Sequence, residues 1–376
     1  MSPPRLTMEQ WAITKAILDK NDWNISAAAR ELKIDRQSVR QRISAAKNYG
    51  YTDENQEFYI KSKSTLYDAE GNLRLQWLKE DLDRERQEEI AKQTIAGLIS
   101  EIEPVAPKPP PAITMSDVAV AYCIGDAHLG LYSWGAETGE NFDLSVAKRD
   151  LMSGADRLVA SVPAAEEAIV VQLGDFYHMD DTKNVTPLSG NNLDVDTRFA
   201  KVIRVGIHLM RYVIDKALEK HKLVRVRNVA GNHDPTASIT LTEALKGYYE
   251  NEPRVEIADS PKSFFIYRFG ANLVGITHGH TGRPERLPGL LAVDAQKDWG
   301  ECDFRFVWHG HIHSKRVFED MGVIVESFRT LAGKDAWHAE QGYRPGREMQ
   351  AIVLHKRFGE IERHTAGLKW IRSKED

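Results

Sequence analysis

Five stretches govern the reading of this chain: AYCIGDAHLG (residues 121–130), VVQLGDFYH (170–178), RNVAGNHD (227–234), VGITHGH (274–280) and FVWHGHIH (306–313). Each closes an apolar run of strand-like composition, and the runs predict strands over residues 118–124, 169–173, 224–229, 272–277 and 305–308. Each run ends in Asp, Asn or His beside glycine: Gly125-Asp126-Ala127-His128, Gly174-Asp175, Gly231-Asn232-His233-Asp234, His278-Gly279 and Gly310-His311-Ile312-His313. Carboxylate, carboxamide and imidazole are the ligand types that suit manganese, iron or zinc. Setting them at strand ends gathers residues distant in sequence at one sheet edge, and glycine lets the backbone turn sharply and approach a ligand. One Asp-x-His or His-x-His arises by chance in many chains, whereas five such ends in a row point to a metal site. Strands alternating with helical stretches predict an α/β or mixed sandwich domain.

In order and residue type, these blocks resemble the signature of the calcineurin-like metallophosphoesterases, D-x-H, G-D, G-N-H-D/E, H and G-H-x-H, and the match spans residues 120–313. The resemblance implies two mixed β-sheets flanked by helices and two divalent cations, manganese first, with iron, zinc and nickel as alternatives. It implies a first metal held by Asp126, His128, Asp175 and His313, and a second by Asp175, Asn232, His278 and His311, with Asp175 bridging. Such a pair, ~3.5–4 Å apart, clamps a phosphate and activates a water. His233 is implied to protonate the leaving alkoxide, oriented by Asp234.

Three neighbouring groups are candidate substrate contacts. Arg283 and Arg286, in HTGRPER, either clamp a phosphate through guanidinium geometry or are incidental arginines of a surface loop. His178, in GDFYHMDD, either meets substrate or faces solvent. His280 and His309 are expected to support the site from behind. Residues 180–199, DDTKNVTPLSGNNLDVDTRF, form a polar insertion of the kind that shapes the mouth of a site.

Ahead of this domain, residues 7–48 carry three helical patterns. Thr7 and Gln10 form a capping box for the first, whose inward face is expected to hold Trp11, Ile13, Ile17 and Leu18. The second runs from Ser26 to Leu32 and the chain turns at Lys33 and Ile34. Asp35 caps the third, which turns Val39 and Ile43 inward and offers Arg36, Gln37, Arg40, Gln41, Arg42 and Lys47 to a major groove and its phosphates. NISAAARELKIDRQSVRQRI resembles bacterial DNA-binding helix-turn-helix modules; small three-helix bundles with a basic face also dock proteins.

The expected domains are a nucleic-acid-binding module over residues 1–50, an extension and charged helix over 51–102, a linker over 103–115 and the metallophosphoesterase domain over 116–376. Residues 51–76 read as short strands around a turn at Asp68 to Asn72. Residues 77–101 read as a long charged helix that is either solvated or pairs with another chain. Five prolines in EPVAPKPPPAITM, residues 103–115, favour an extended spacer.

Composition bounds the rest. A 42% hydrophobic fraction is enough for a core. No run approaches the roughly 18 apolar residues of a membrane span, and the charged N-terminus does not read as a secretory signal, so a cytoplasmic location is expected. Cys123 and Cys302 lie in no CxxC pair and are expected to be buried thiols. Net charge is −5, but residues 1–50 hold nine Lys or Arg against five Asp or Glu, which places phosphate attraction mainly at the N-terminus.

A metal-dependent DNA nuclease is the expected function. Motif order and domain combination resemble the nuclease subunits of double-strand-break repair complexes and, more loosely, phosphoesterases of tailed bacteriophages. The alternatives are a phosphatase or phosphodiesterase acting on a nucleotide, phosphoprotein or small ester, and a DNA-binding regulator with a degenerate phosphoesterase domain. The second conflicts with the presence of every ligand and of His233.

Overall fold

The computed structural model describes residues 7–21, 24–49, 58–67, 73–82, 103–342, 344 and 346–373. The chain divides into two compact units, residues 1–97 and 98–376.

The first unit opens with three helices, α1 (Met8–Lys20), α2 (Ile25–Leu32) and α3 (Arg36–Tyr49). Local hydrogen bonds set their boundaries. Thr7 Oγ1 accepts from Gln10 N while Gln10 Oε1 accepts from Thr7 N, both at 3.2 Å, which completes the capping box. Asn24 Oδ1 caps α2, Lys33 ends it in the left-handed region at φ 54°, and Asp35 Oδ1 accepts from Ser38 N at 2.8 Å to start α3. Trp11, Leu18, Ala28, Ala29, Val39 and Ala46 form the small core, with Ile17 and Ile43 packed against it. Ile13 departs from expectation and is exposed. The inward stripe of α1 runs Trp11, Thr14, Leu18 at spacings of three and four, which turns Ile13 outward. Thr14 tolerates its burial because its hydroxyl donates to Gln10 O at 2.6 Å and accepts from Arg42 at 3.0 Å.

Strands β1 (Phe58–Tyr67) and β2 (Leu73–Leu82) pair antiparallel, from Phe58 opposite Leu82 to Tyr67 opposite Leu73. This corrects the helix expected over residues 77–101: residues 77–82 belong to a strand, and residues 83–102 lie outside the described residues. Leu78, Lys79, Glu80 and Leu82 are good helix formers, but propensity is a weak prior and pairing with β1 overrides it.

The second unit contains two mixed sheets flanked by helices. In the first sheet, β3 (Met115–Ile124), β4 (Ala165–Gln172), β5 (Leu223–Asn228) and β6 (Val255–Ile257) are parallel, and β12 (Glu348–His355) and β13 (Gly359–Gly367) continue it antiparallel. Its order is β13-β12-β3-β4-β5-β6. In the second, β8 (Asn272–Thr277), β9 (Phe304–His309) and β11 (Val323–Ser327) are parallel, with β7 (Phe264–Phe269) and β10 (Arg316–Asp320) antiparallel at its edges. The order there is β10-β11-β9-β8-β7.

Alternation along the strands separates the layers. Ala119, Ala121 and Cys123 of β3 meet Val274 and Ile276 of β8 and Phe306 and Trp308 of β9 between the sheets. Val118, Val120, Tyr122 and Ile124 point the other way, into a core shared with helices Leu144–Ser161, Phe199–Lys220 and Pro235–Tyr248. The far face of the second sheet, with Leu273 and Val307, is covered by helix Leu287–Asp294. Both cysteines are buried and free. Among the described residues, no helix is long and apolar enough to cross a membrane.

The proline-rich segment is extended but fastened to the second unit. Val105 N donates to Tyr248 O at 2.8 Å, Lys108 N to Glu252 Oε2 at 2.8 Å, and Arg254 reaches the carbonyls of Lys108 and Pro109. It therefore differs from a free spacer.

Candidate metal centre and nucleic-acid interface

Because β3, β4 and β5 are adjacent and parallel, the residues that follow them emerge at one edge: Asp126, Asp175 and Asn232. The residues after β8 and β9 do the same in the second sheet: His278, His311 and His313. The two sets meet. Asp126 Oδ1 lies 3.4 Å from His313 Nε2, and Asp175 Oδ2 lies 3.2 Å from His278 Nε2. Asn232 Oδ1 is 3.0 Å from His278 Nε2, and His128 Nε2 is 3.0 Å from His313 Nε2. Asp126, His128, Asp175 and His313 each offer a ligand atom within 4.8 Å of the others, and so do Asp175, His278 and His311. Asp175 belongs to both groups. His128, His178 and His233 form a third such group.

Backbone geometry explains why glycines stand beside these candidate ligands. A Cβ on Gly231 would fall 2.0 Å from Asp175 Oδ1, and one on Gly174, at φ +95°, would fall 2.3 Å from His278 Nδ1. The Asp175 and His278 side chains occupy the space that any other residue would fill. Of the seven described non-glycine residues with positive φ, four are His128, Asp175, His311 and His313. Backbone cost of this kind, about 1–3 kcal/mol per residue, persists where surrounding structure enforces it and marks functional sites.

The electrostatics fit a cation site. Asp126 and Asp175 are buried, and among the described residues neither has a Lys or Arg partner; their partners are imidazoles. Buried carboxylates need a compensating positive charge. In the protein alone the imidazoles supply part of it: burial opposes a charge on His278, but Asp175 and then Asp126 outweigh it and raise this group to about 9. His313 is likewise raised against burial, by Asp126. Burial holds His128 well below the ordinary imidazole range, assisted by His233 and His313, and brings His311 to about 4, assisted by His278. Neutral imidazoles and ionised carboxylates are the states that bind divalent metals.

Supporting bonds orient the rings. His278 Nδ1 faces Leu173 O at 2.8 Å, which leaves Nε2 toward Asp175. Asp126 accepts from His311 N at 3.0 Å, and Thr330 Oγ1 donates to Asp126 O at 2.6 Å. Asp175 Oδ1 accepts from His233 N at 2.8 Å.

His233 sits beside the cluster, half-buried, but Asp234 does not orient its ring. His233 Nδ1 faces the carbonyl of His178 at 2.9 Å. Asp234 turns inward, where its carboxylate accepts from Tyr177 N at 3.1 Å and Gly231 N at 2.8 Å, and burial followed by Asp175 pushes it up to about 7. Its place is to hold the Gly231 turn rather than the imidazole.

His178 is buried, which removes the solvent-facing reading; its Nδ1 lies 3.1 Å from His128 Nδ1 and its ring stacks on His233. His309 is buried too, with Nδ1 on Gly310 O. Arg283 and Arg286 are exposed around the short turn Pro284–Arg286 and are not among the residues lining the cleft described next.

A cleft of about 1360 Å³ opens onto Asp175, Asn232, His233, His311 and His313. The insertion forms part of its wall through Thr186, Ser189, Asn191 and Asn192. Asp180, at the start of that insertion, accepts from Thr236 N and Ala237 N and so ties it to the first turn of helix Pro235–Tyr248. Across the cleft lies a pair that sequence reasoning missed. His338 Nδ1 is 2.6 Å from Asp335 Oδ1, and the His338 ring stacks on His313 at 5.1 Å. Neither residue closes an apolar run in a recognisable block, so no local pattern pointed to them.

On the first unit, Arg36, Gln37, Arg40 and Gln41 are exposed on α3. Arg42 departs from this group and donates to Thr14 at 3.0 Å, bracing α3 against α1. The Lys47 side chain lies outside the described residues.

Residues 9–45 match a helix-turn-helix family model described as bacterial regulatory protein, Fis family. Solved structures similar to the chain include a conserved protein of Streptococcus pneumoniae TIGR4 described as a predicted phosphoesterase, 12% identical over 68% of this chain and 99% of that one, at a TM-score of 0.27. An archaeal phosphodiesterase is 15% identical over 66% of this chain and 99% of that one, at 0.34. A dimetal phosphatase from Danio rerio is 12% identical over 66% and 98%, at 0.36. No curated protein matches the sequence.

Proposed function

We propose that the protein is a metal-dependent phosphodiesterase acting on DNA, to which α3 brings it. The observation that carries the reading is the convergence of Asp126, His128, Asp175, His278, His311 and His313 into overlapping donor groups, of which Asp175, His311 and His313 line a cleft together with His233. Two divalent cations held there would polarise a phosphodiester and acidify a water. The first would take Asp126, His128, Asp175 and His313; the second would take Asp175, Asn232, His278 and His311. His233, held through Nδ1 by the His178 carbonyl, keeps Nε2 for the leaving oxygen and gives it a proton.

Size favours a polymer over a small ester. The cleft exceeds the ~300–1,000 Å³ usual for small-molecule sites, and its polar insertion wall suits an extended ligand. Arg36, Gln37, Arg40 and Gln41 support the DNA assignment, because they stand exposed together on the third helix of a module whose family model is that of a DNA-binding motif.

In the full-length protein, R36A/R40A is expected to weaken duplex DNA binding while a small chromogenic diester is hydrolysed at the wild-type rate, since no metal ligand is touched. The slope of log affinity against log salt should flatten by ~0.9 for each phosphate that the variant no longer neutralises. Equal affinity and equal slope for both proteins would leave α3 as a protein-docking surface instead.

A further inference from the structure

Exposed aromatic rings of the second unit are gathered near the metal centre. Five large aromatic side chains are exposed among its described residues: Tyr132, Trp134, Trp337, Phe358 and Trp370. All but Phe358 line two hollows that adjoin at Ala336 and Trp337. Tyr132 and Trp134 line a smaller one of about 320 Å³ together with Ala336; Trp337 and Trp370 line the main cleft. An aromatic ring left in water forgoes the free energy of burying its apolar face, so such a concentration beside a reaction site calls for a ligand.

Trp337 is the best placed. It is 57% exposed, its ring meets His338 at 4.9 Å, and His338 in turn stacks on His313 at 5.1 Å. A single imidazole thus separates Trp337 from a proposed metal ligand, which puts it within reach of the nucleotide beside one whose phosphate lies at the centre. Arg316, Lys334 and Lys369 line the same cleft, and none has a carboxylate partner among the described residues. Glu137 and Asp194 line the smaller hollow and disfavour a phosphate there, which leaves Tyr132 and Trp134 to uncharged ring faces.

We propose that Trp337 is a stacking platform for an unpaired base next to the scissile phosphate, so that the cleft takes its polynucleotide as a single strand. This rests on the phosphodiesterase reading above. Cations near the centre and aromatic faces flanking it match the two parts of a nucleic-acid strand, backbone and base. A continuous duplex keeps its base faces against one another and offers Trp337 nothing to stack on, whereas a single strand or a frayed end offers one at each nucleotide.

The test compares wild type, W337A and W337F on end-labelled oligonucleotides: single-stranded DNA, RNA of the same sequence, the matching duplex, and single-stranded DNA with one abasic position. Metal content and thermal transition establish that each variant folds. W337A is expected to raise Kd and KM for single strands about five- to fiftyfold with a smaller change in kcat, and W337F to recover most of the loss. The abasic strand should bind wild type more weakly than the intact strand, and W337A should bind the two alike, which a merely structural tryptophan would not produce. Equal losses on DNA and RNA would place recognition in the base alone; a loss confined to one would add the sugar to it. Wild-type cleavage of single strands with KM unchanged in W337A would overturn the stacking role and leave the phosphodiesterase reading standing. Hydrolysis of a small diester with no binding or cleavage of any nucleic acid would overturn both.

Discussion

Replacing Asp175 with asparagine or alanine is expected to empty the metal centre and reduce phosphodiester hydrolysis about a thousandfold or more, equivalent to about 4 kcal/mol of barrier. Asp175 is the residue shared by both donor groups, and it is buried, with one oxygen 3.2 Å from His278 and the other accepting from His233 N. Removing it deprives both positions of a negative charge and releases the loop that carries His233. Asparagine separates these effects. It retains an acceptor for His233 N and the volume that packs against Gly231, but it lacks the charge that binds a cation. D175N should therefore fold and lose metal. Two equivalents of metal retained by D175N, measured by elemental analysis, would refute the bridging role.

His233→Ala should behave differently. Metal content is expected to stay at the wild-type level, since both proposed ligand sets are complete without it, while kcat falls about 10²- to 10⁴-fold. The loss should be smallest for a substrate with a good leaving group such as 4-nitrophenolate, which departs without a proton, and largest for an alkoxide leaving group. Because the Nδ1 contact is to the His178 carbonyl, D234N should affect stability of the Gly231 turn more than this leaving-group dependence. A uniform loss across leaving groups, or loss of metal from H233A, would remove His233 from the role of acid.

Much of this was legible in sequence because it is encoded locally. The Thr7–Gln10 box, the Asp35 cap and the Lys33 turn are each settled within four residues, and the structure places them as expected. The strand ends carrying Asp126, Asp175, Asn232, His278 and His311 were legible because a run of apolar residues closed by glycine and a ligand type is also a local pattern. What failed depended on distant partners. Residues 77–82 carry helix-forming side chains, and only pairing with β1 makes them a strand. Asp234 follows His233 directly, yet backbone direction sends its carboxylate to Tyr177 and Gly231, which no spacing rule foretells. His338 stacks on His313, and Trp337 lines the same cleft, only because tertiary packing brings residues 335–338 beside His313.

If phosphodiester cleavage depends on metal held at this centre, activity must follow the metal. The experiment is cleavage of end-labelled DNA by the full-length protein, first stripped of metal and verified by elemental analysis, then loaded with Mn²⁺, then treated with excess chelator. The expected result is no cleavage by the stripped protein, cleavage after loading, loss on chelation and recovery on adding Mn²⁺ again. Undiminished cleavage by protein verified to be free of metal would show that the chemistry does not run through this site.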